Sequence, residues 1–226
     1  MELLPETAQA LRSLGESTDV DLVAAVVDAG DRVVAEVPSC LGFSYCLASQ
    51  DVTFTVVATS GDAAVLDAVQ YLDDGPCLEA GRDDRVVSLE DVLDEDRWQQ
   101  FAQAAAARGV RSSLSLPVLE DGAVVGTVNF YAALPGAFVG HEARLAAIVG
   151  ASAGVAIMNA DLAFGSRDDA VATPARLDDL AVVDQATGVL AHSQRLGIAA
   201  ARALLHDAAR RAGLEDAVLA RSMVRP

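Results

Sequence analysis

Arg202, His206 and Arg210 recur at intervals of four residues near the C-terminus, with the small residues Ala199 and Ala203 beside them. In a helix that interval sets all three on one stripe. A line of guanidinium groups can then follow a phosphate backbone, and small neighbours allow close approach. An ordinary solvated face is the alternative reading. Residues 176–226 contain no Phe, Tyr or Trp, so stacking on unpaired bases would fall to arginine. Charge is divided in the same sense: residues 1–175 hold 9 Arg against 27 acidic residues, and residues 176–226 hold 7 Arg against 6. With a net charge of −17 over 226 residues, the acidic part should repel nucleic acid and leave any polyanion to the tail.

All 16 basic residues are arginine, which excludes chemistry that needs a lysine amine, such as a Walker-type phosphate loop or a Schiff base. Cys40, Cys46 and Cys77 follow no metal-ligand spacing and the three histidines are scattered, so no metal is expected. Cys77 follows Gly75-Pro76. A thiol beside a helix start can have a lowered pKa and sense oxidants, or line a ligand pocket, whereas a small buried hydrophobe is the commoner use of free cysteine. Acidic runs such as Glu90-Asp91 and Asp94-Glu95-Asp96 read as solvated faces. No Ser, His and acid cluster is suggested by spacing, so the chain is not expected to be an enzyme.

These residues need elements to position them. Apolar spacing predicts a helix over Val20–Val37, and Gly42–Leu47 and Val52–Thr59 read as an antiparallel hairpin whose second strand alternates Val52, Phe54, Val56 with Thr53, Thr55. A short amphipathic helix comes next over Asp62–Tyr71, ended by Asp73-Asp74-Gly75-Pro76. A strand near Val86–Ser88, a helix from about Arg97 to Arg108, and a hairpin of Val110–Val118 with Ala123–Tyr131 complete the sheet. A long helix runs from about His141 to Leu162. Its apolar run, Leu145–Met158, is too short for a bilayer, and no basic, apolar leader opens the chain, so a cytoplasmic protein with no membrane contact is expected. The fold class is α+β, an antiparallel sheet with flanking helices followed by a small three-helix bundle. Both flanking helices are apolar beyond what one sheet face requires, with small Ala151, Ala153 and Gly154, so a homodimer through them is expected.

Three ordered blocks carry a family resemblance: Gly75-Pro76-Cys77-Leu78-Glu79-Ala80, then Arg111-Ser112-Ser113-Leu114-Ser115-Leu116-Pro117-Val118, then Val125-Gly126-Thr127-Val128-Asn129-Phe130-Tyr131. Together they resemble a GAF domain, most closely those of actinobacterial signalling proteins. The resemblance implies a sensor domain over residues 1–163, including its N-terminal helix. It also implies a pocket bordered by Cys77, Glu79, Arg111 and Asn129 that could hold a small molecule of unknown identity. The cyclic-nucleotide signature of some GAF domains includes a lysine and cannot be present here.

After a polar linker over residues 164–175, residues 176–226 read as three short helices. Val182, Val183, Ala186, Val189 and Leu190 share one arc of the first. Ile198, Ala201, Leu204, Leu205, Ala208 and Ala212 line the second, which ends at Gly213, and the third carries Ala217, Val218, Ala220 and Met223. Val182-Val183-Asp184-Gln185-Ala186-Thr187-Gly188-Val189-Leu190, Ala201 with Leu204-Leu205, and Ala220-Arg221-Ser222-Met223-Val224 resemble an ANTAR domain, the RNA-binding antiterminator module. Thr187 stands where that family is usually basic, and Arg202 where it is usually aromatic. The resemblance implies binding of RNA hairpins and a transcription-antitermination role for the whole chain, with Gln185, Thr187, Gly188, Arg195 and the stripe Arg202, His206 and Arg210 as the expected RNA-binding residues. Three other readings stay open: a redox-active GAF enzyme of the methionine sulfoxide reductase type using Cys46 and Cys77, a DNA-binding regulator, and a degenerate ANTAR that serves only to dimerise.

Overall fold

The computed structural model describes residues 22–49, 52–150, 153 and 177–224. The expected linker, the N-terminal 21 residues and most of the segment from 151 to 162 lie outside them. Helix α1 (Leu22–Glu36) buries Leu22, Val26, Ala29, Gly30 and Val33, one stripe at helical spacing. Strands β1 (Cys40–Ser49) and β2 (Val52–Ala58) come next, then α2 (Gly61–Asp73), α3 (Pro76–Asp83), β3 (Val87–Leu89), a 3-10 turn at Val92–Asp94, α4 (Gln99–Ala106), β4 (Ser112–Glu120) and β5 (Ala123–Ala132). Helix α5 is described over residues 142–150. Helices α6 (Leu177–Ser193), α7 (Ile198–Arg211) and α8 (Asp216–Val224) close the described chain.

The five strands form one antiparallel sheet in the order β2-β1-β5-β4-β3. The β4–β5 connection is the two-residue turn Asp121-Gly122, both at positive φ (49° and 80°), the backbone that joins right-twisted strands most directly. Alternation then assigns two faces. Phe43, Leu114 and Phe130 stand in one row, with Tyr45, Leu116 and Val128 in the next, and all six are buried against α1, Leu145 and Val149. The opposite face carries Ser44, Asn129 and Ser115 in register, flanked by Cys46 with Thr127 and by Ser113 with Tyr131. This polar face is also buried, beneath α2 and α3.

Strand β2 departs from the simple alternation read from its sequence. Thr55 stands opposite Cys46 and Val57 opposite Tyr45, which leaves Val56 as an extra residue. Such a bulge reverses the facing of the residues beyond it. Thr55 therefore reaches the polar side, and Val57 joins the apolar core despite sharing its parity.

Helix α2 differs more strongly from the amphipathic helix expected. Every residue from Ala63 to Leu72 is buried. The helix starts at an N-cap, Ser60, whose side chain accepts from the Ala63 amide at 3.2 Å. Its lack of a wet face has a cause: the polar sheet face lies on one side, and α7 and α8 pack on another. One apolar cluster consequently joins Leu66, Val69 and Leu72 to Val183, Ala186, Leu190, Leu205 and Leu219. In the last three helices Val183, Ala186, Leu190, Ala201, Leu205, Ala208, Ala212, Ala217 and Ala220 are buried as their periodicity requires. Val189, Ile198 and Val218, assigned to the same stripes, are exposed instead. Ile198 opens α7 at the end of a loop, where the first turn is exposed among the described residues.

Candidate functional site

Asp67 sits at the centre of a wholly buried polar cluster between α2 and the sheet. Tyr131 donates to its Oδ1 at 2.7 Å, Ser44 at 3.0 Å and Asn129 at 3.1 Å. Thr55 donates to Oδ2 at 3.0 Å, and the Cys46 thiol lies 3.6 Å from the same oxygen. Burial pushes the Asp67 carboxyl above the ordinary carboxylate range, opposed by the hydrogen bonds from Tyr131, Ser44, Thr55 and Asn129. No cation stands among these partners, so desolvation is met by neutral donors alone.

A second layer closes around the first. The Tyr71 hydroxyl lies 2.9 Å from Thr55 Oγ1 and donates to Cys46 Sγ at 3.5 Å. Cys77 Sγ lies 3.0 Å from Thr127 Oγ1, and Thr127 is the β5 residue that stands opposite Cys46. Burial drives the Cys46 thiol well above its ordinary value, helped by the neighbouring Cys77 thiol and the Asp67 charge. Ser115 donates to Asn129 Oδ1 at 2.9 Å, while the buried Ser113 hydroxyl has no hydrogen-bond partner among the described residues.

The Gly75-Pro76-Cys77 block now has a physical meaning. Gln70 reaches back so that its Oε1 accepts from the Cys77 amide at 2.7 Å and its Nε2 donates to the Tyr131 hydroxyl at 3.2 Å. A Cβ at residue 75 would fall 2.4 Å from Gln70 Cγ. Glycine lets that side chain pass, and Pro76 opens α3 where no amide donor is needed. Helix α3, whose start the sequence reading placed beside Cys77 without giving it a span, carries Cys77 into the cluster.

Of the four expected pocket residues, Cys77 and Asn129 meet here and two do not. Arg111 precedes β4 and its guanidinium turns to the Asp91 carboxylate, with Nε 3.1 Å from Oδ1, which holds Asp91 below the ordinary range. Glu79 pairs with Arg85 and, at 3.4 Å, with Arg97. Both corrections share a cause: each residue has an opposite charge at the surface, and a charge is held there at less cost than in the apolar-walled interior. Asp67, Tyr71, Gln70 and Tyr131 were not foreseen as site residues, and Cys46 was foreseen only in the redox alternative. An open groove of about 570 Å³, lined by Ser88, Glu90, Asp91, Asp94, Glu95 and Arg97 among others, involves none of the cluster residues. No group of three or more His, Cys, Asp or Glu is placed to hold a metal ion among the described residues, and no described helix is long and apolar enough to cross a membrane.

On the C-terminal helices, Arg202, His206 and Arg210 are exposed along one arc of α7. Each faces an acid: Arg202 Nη1 lies 2.8 Å from Asp184, His206 Nδ1 3.0 Å from Asp216, and Arg210 3.6 Å from Asp207. Gln185, Gly188 and Arg195 are exposed, Arg195 in the left-handed turn between α6 and α7 (φ 55°). Thr187 is buried, and its hydroxyl donates to the Val183 carbonyl at 2.7 Å. The RNA-facing role expected for Thr187 is therefore withdrawn, because it lies on the arc that packs inward with Val183 and Leu190.

Arg211 does something the sequence reading missed. Nine residues, about two and a half turns, separate it from Arg202, so it points oppositely. Its Nε donates to the Thr53 carbonyl of β2 at 2.8 Å, and its guanidinium lies 4.3 Å from the centre of the Tyr71 ring. Gln194 adds a bond from Nε2 to the Leu72 carbonyl at 2.7 Å.

A family model described as "GAF domain" matches residues 2–158. Among solved structures, the GAF domain of a two-component sensor histidine kinase from Bacillus halodurans is 16% identical, with 64% of this chain and 98% of that one covered and a TM-score of 0.46. The GAF domain from Acinetobacter phosphoenolpyruvate-protein phosphotransferase is 15% identical over 72% of this chain and 99% of that one, at 0.44. The type II free methionine-R-sulfoxide reductase from Thermoplasma acidophilum is 17% identical over 60% and 94%, also at 0.44. No curated protein matches the chain.

Proposed function

Since the chain belongs to the GAF domain family, we propose that it is a signal-responsive regulator whose sensor is coupled to an ANTAR-like output, the C-terminal helices, which bind hairpin RNA and prevent transcription termination. The observation that carries the RNA reading is the placement of Arg202, His206 and Arg210. Arg202 lies about half a turn from Arg211, with His206 and Arg210 about 140° and 100° round the helix from it, and all three are exposed, so the contact with the sensor leaves the stripe open to solvent. Their acidic partners do not block it. Exposed ion pairs of this kind contribute about 0–1 kcal/mol each, which a multiply charged backbone with counterion release outweighs.

In the sensor, Asp67, Asn129, Cys77 and their neighbours form the ligand-facing lining. A buried carboxyl without a cation disfavours an anionic ligand and suits a neutral or cationic one that can replace the donors from Ser44, Thr55 and Asn129. Dimerisation through α1 and α5 completes the proposal, with light scattering as its check: a particle of one chain's mass at micromolar concentration rejects it.

Cys46 stands opposite Thr127, and Cys77 Sγ lies 3.0 Å from the Thr127 hydroxyl; this shared neighbour favours a second reading, a two-electron redox role in which two thiols become a disulfide while a sulfoxide becomes a thioether and water. The raised Cys46 thiol and the burial of both sulfurs weigh against it. Gel-shift titration against hairpin RNAs at two salt concentrations tests the main reading. The parent chain should bind with a steep salt dependence, and Arg202→Ala with Arg210→Ala should weaken binding and flatten that slope. Absence of hairpin affinity, or preference for duplex DNA, rejects the RNA reading. Affinity untouched by the double substitution removes the stripe as the RNA surface.

A further inference from the structure

We propose that Arg211 clasps the C-terminal helices to the sensor through Tyr71, so that a change of partners at the Tyr71 hydroxyl, on the Thr55 and Cys46 side of the Asp67 cluster, loosens those helices; this rests on reading them as the output. The Tyr71 ring is shared between two environments. Its outer face carries the Arg211 guanidinium at 4.3 Å, and its hydroxyl is held inside by Thr55 at 2.9 Å and Cys46 at 3.5 Å. Thr55 and Cys46 are also the groups at Asp67 Oδ2. An aromatic ring is rigid, so a hydroxyl that changes partners moves the face beneath the guanidinium.

The second anchor of Arg211 leads to the same place. Its Nε bond ends on the Thr53 carbonyl, on the outermost strand of the sheet, two residues from Thr55. Both supports of the clasp are thus tied to the cluster, one through Tyr71 and one through β2. Its side chain is only 13% exposed, so guanidinium and ring meet largely out of water, where a cation over an aromatic face is strongest. Gln194 fastens the other end of the contact, using the Leu72 carbonyl in the last turn of α2, which has no helical partner of its own. Three helices this short cannot bury enough surface to stand firmly alone. Weakening the clasp therefore disorders α6, α7 and α8. Because Arg202, His206 and Arg210 are exposed while Arg211 holds its place, the clasp governs the order and orientation of that stripe and not its exposure.

Hydrogen exchange on the full-length chain tests the relay. Tyr71→Phe deletes only a hydroxyl inside the sensor, yet amides of α6–α8 should exchange about fivefold faster or more. Thr55→Val should act in the same direction from the strand side, and Arg211→Ala should reproduce the effect. In an Arg211→Ala background, Tyr71→Phe should add little. Tyr131→Phe is the control, since it removes a hydroxyl of the same cluster that bears no guanidinium; its effect should centre on α2 and the sheet. Acceleration confined to the sensor in Tyr71→Phe, equal acceleration of α6–α8 by Tyr131→Phe, or no effect of Arg211→Ala overturns the proposal. None of these readouts uses RNA, so a failed gel shift and a failed relay are told apart.

Discussion

Replacing Tyr131 with Phe removes one oxygen from the most crowded point of the sensor interior. The ring stays, including its tilted contact with Phe101 at 6.4 Å between centroids, so packing loss is small. What goes is a 2.7 Å donation to Asp67 and a 3.2 Å acceptance from Gln70. A hydrogen bond to an ionised group contributes about 1.5–3 kcal/mol, and a neutral one about 0.5–1.5. With both lost, the cost while Asp67 is ionised is about 2–4 kcal/mol, a large share of the roughly 5–15 kcal/mol that holds a domain together. Acid should reduce it. Burial sets the folded Asp67 pKa above the unfolded value of about 3.9. The native protein then holds a proton that the unfolded chain has released. That contribution to stability is fully present below the unfolded value and is lost as pH rises through the folded one. Once Asp67 is protonated, the Tyr131 bond joins neutral partners and counts for less. Urea unfolding followed by the fluorescence of Trp98, the single tryptophan and a buried one, measures the cost at neutral pH and again as the pH is lowered. A cost below about 1 kcal/mol at the higher pH, or a larger cost in acid than at neutrality, refutes the placing of Asp67 as an ionisable hub.

Two glycines give opposite expectations. At Gly75 an added methyl would meet Gln70 at 2.4 Å and 2.6 Å, so Gly75→Ala should lower stability by about 1–3 kcal/mol and free the Cys77 amide, read by thermal melting and by exchange at that amide. At Gly188 a Cβ meets nothing within 4 Å, so Gly188→Ala should raise stability by about 0.5–1 kcal/mol. If that glycine lets RNA approach the helix, the same variant binds hairpins more weakly, and unchanged affinity removes it from the interface.

Much of the fold was legible because its signals are local. Ser113-Leu114-Ser115-Leu116 alternates so cleanly that both faces of β4 can be read from it, and Asp121-Gly122 announces the hairpin. The bulge at Val56 was not legible, since the residues around it are ordinary β-formers and only pairing shows the extra one. The polar sheet face reads as solvent-facing in any strand taken alone. Its burial depends on α2, and α2 on the helices beyond residue 176. The site was half visible for the same reason: Cys77 and Asn129 lie in blocks with a family likeness, whereas Asp67, Tyr71 and Gln70 lie in a helix whose composition gives no hint of chemistry. Arg210 and Arg211 are neighbours of one type, and only the turn of the helix sends one to solvent and the other to Tyr71.

Helix α2, covered on every side, has a consequence for how such a chain can be recombined. Exchange of output modules between sensors is usually pictured as cutting and joining at a linker. Here a cut ahead of residue 177 would strip cover from Ala63–Leu72 and leave apolar side chains in water. A transplanted sensor would need its own α2 repainted with polar residues, and a transplanted output would need a host helix shaped to receive it. A working recombinant must therefore carry the pair of matched surfaces, and a change on one side of α2 calls for a compensating change on the other.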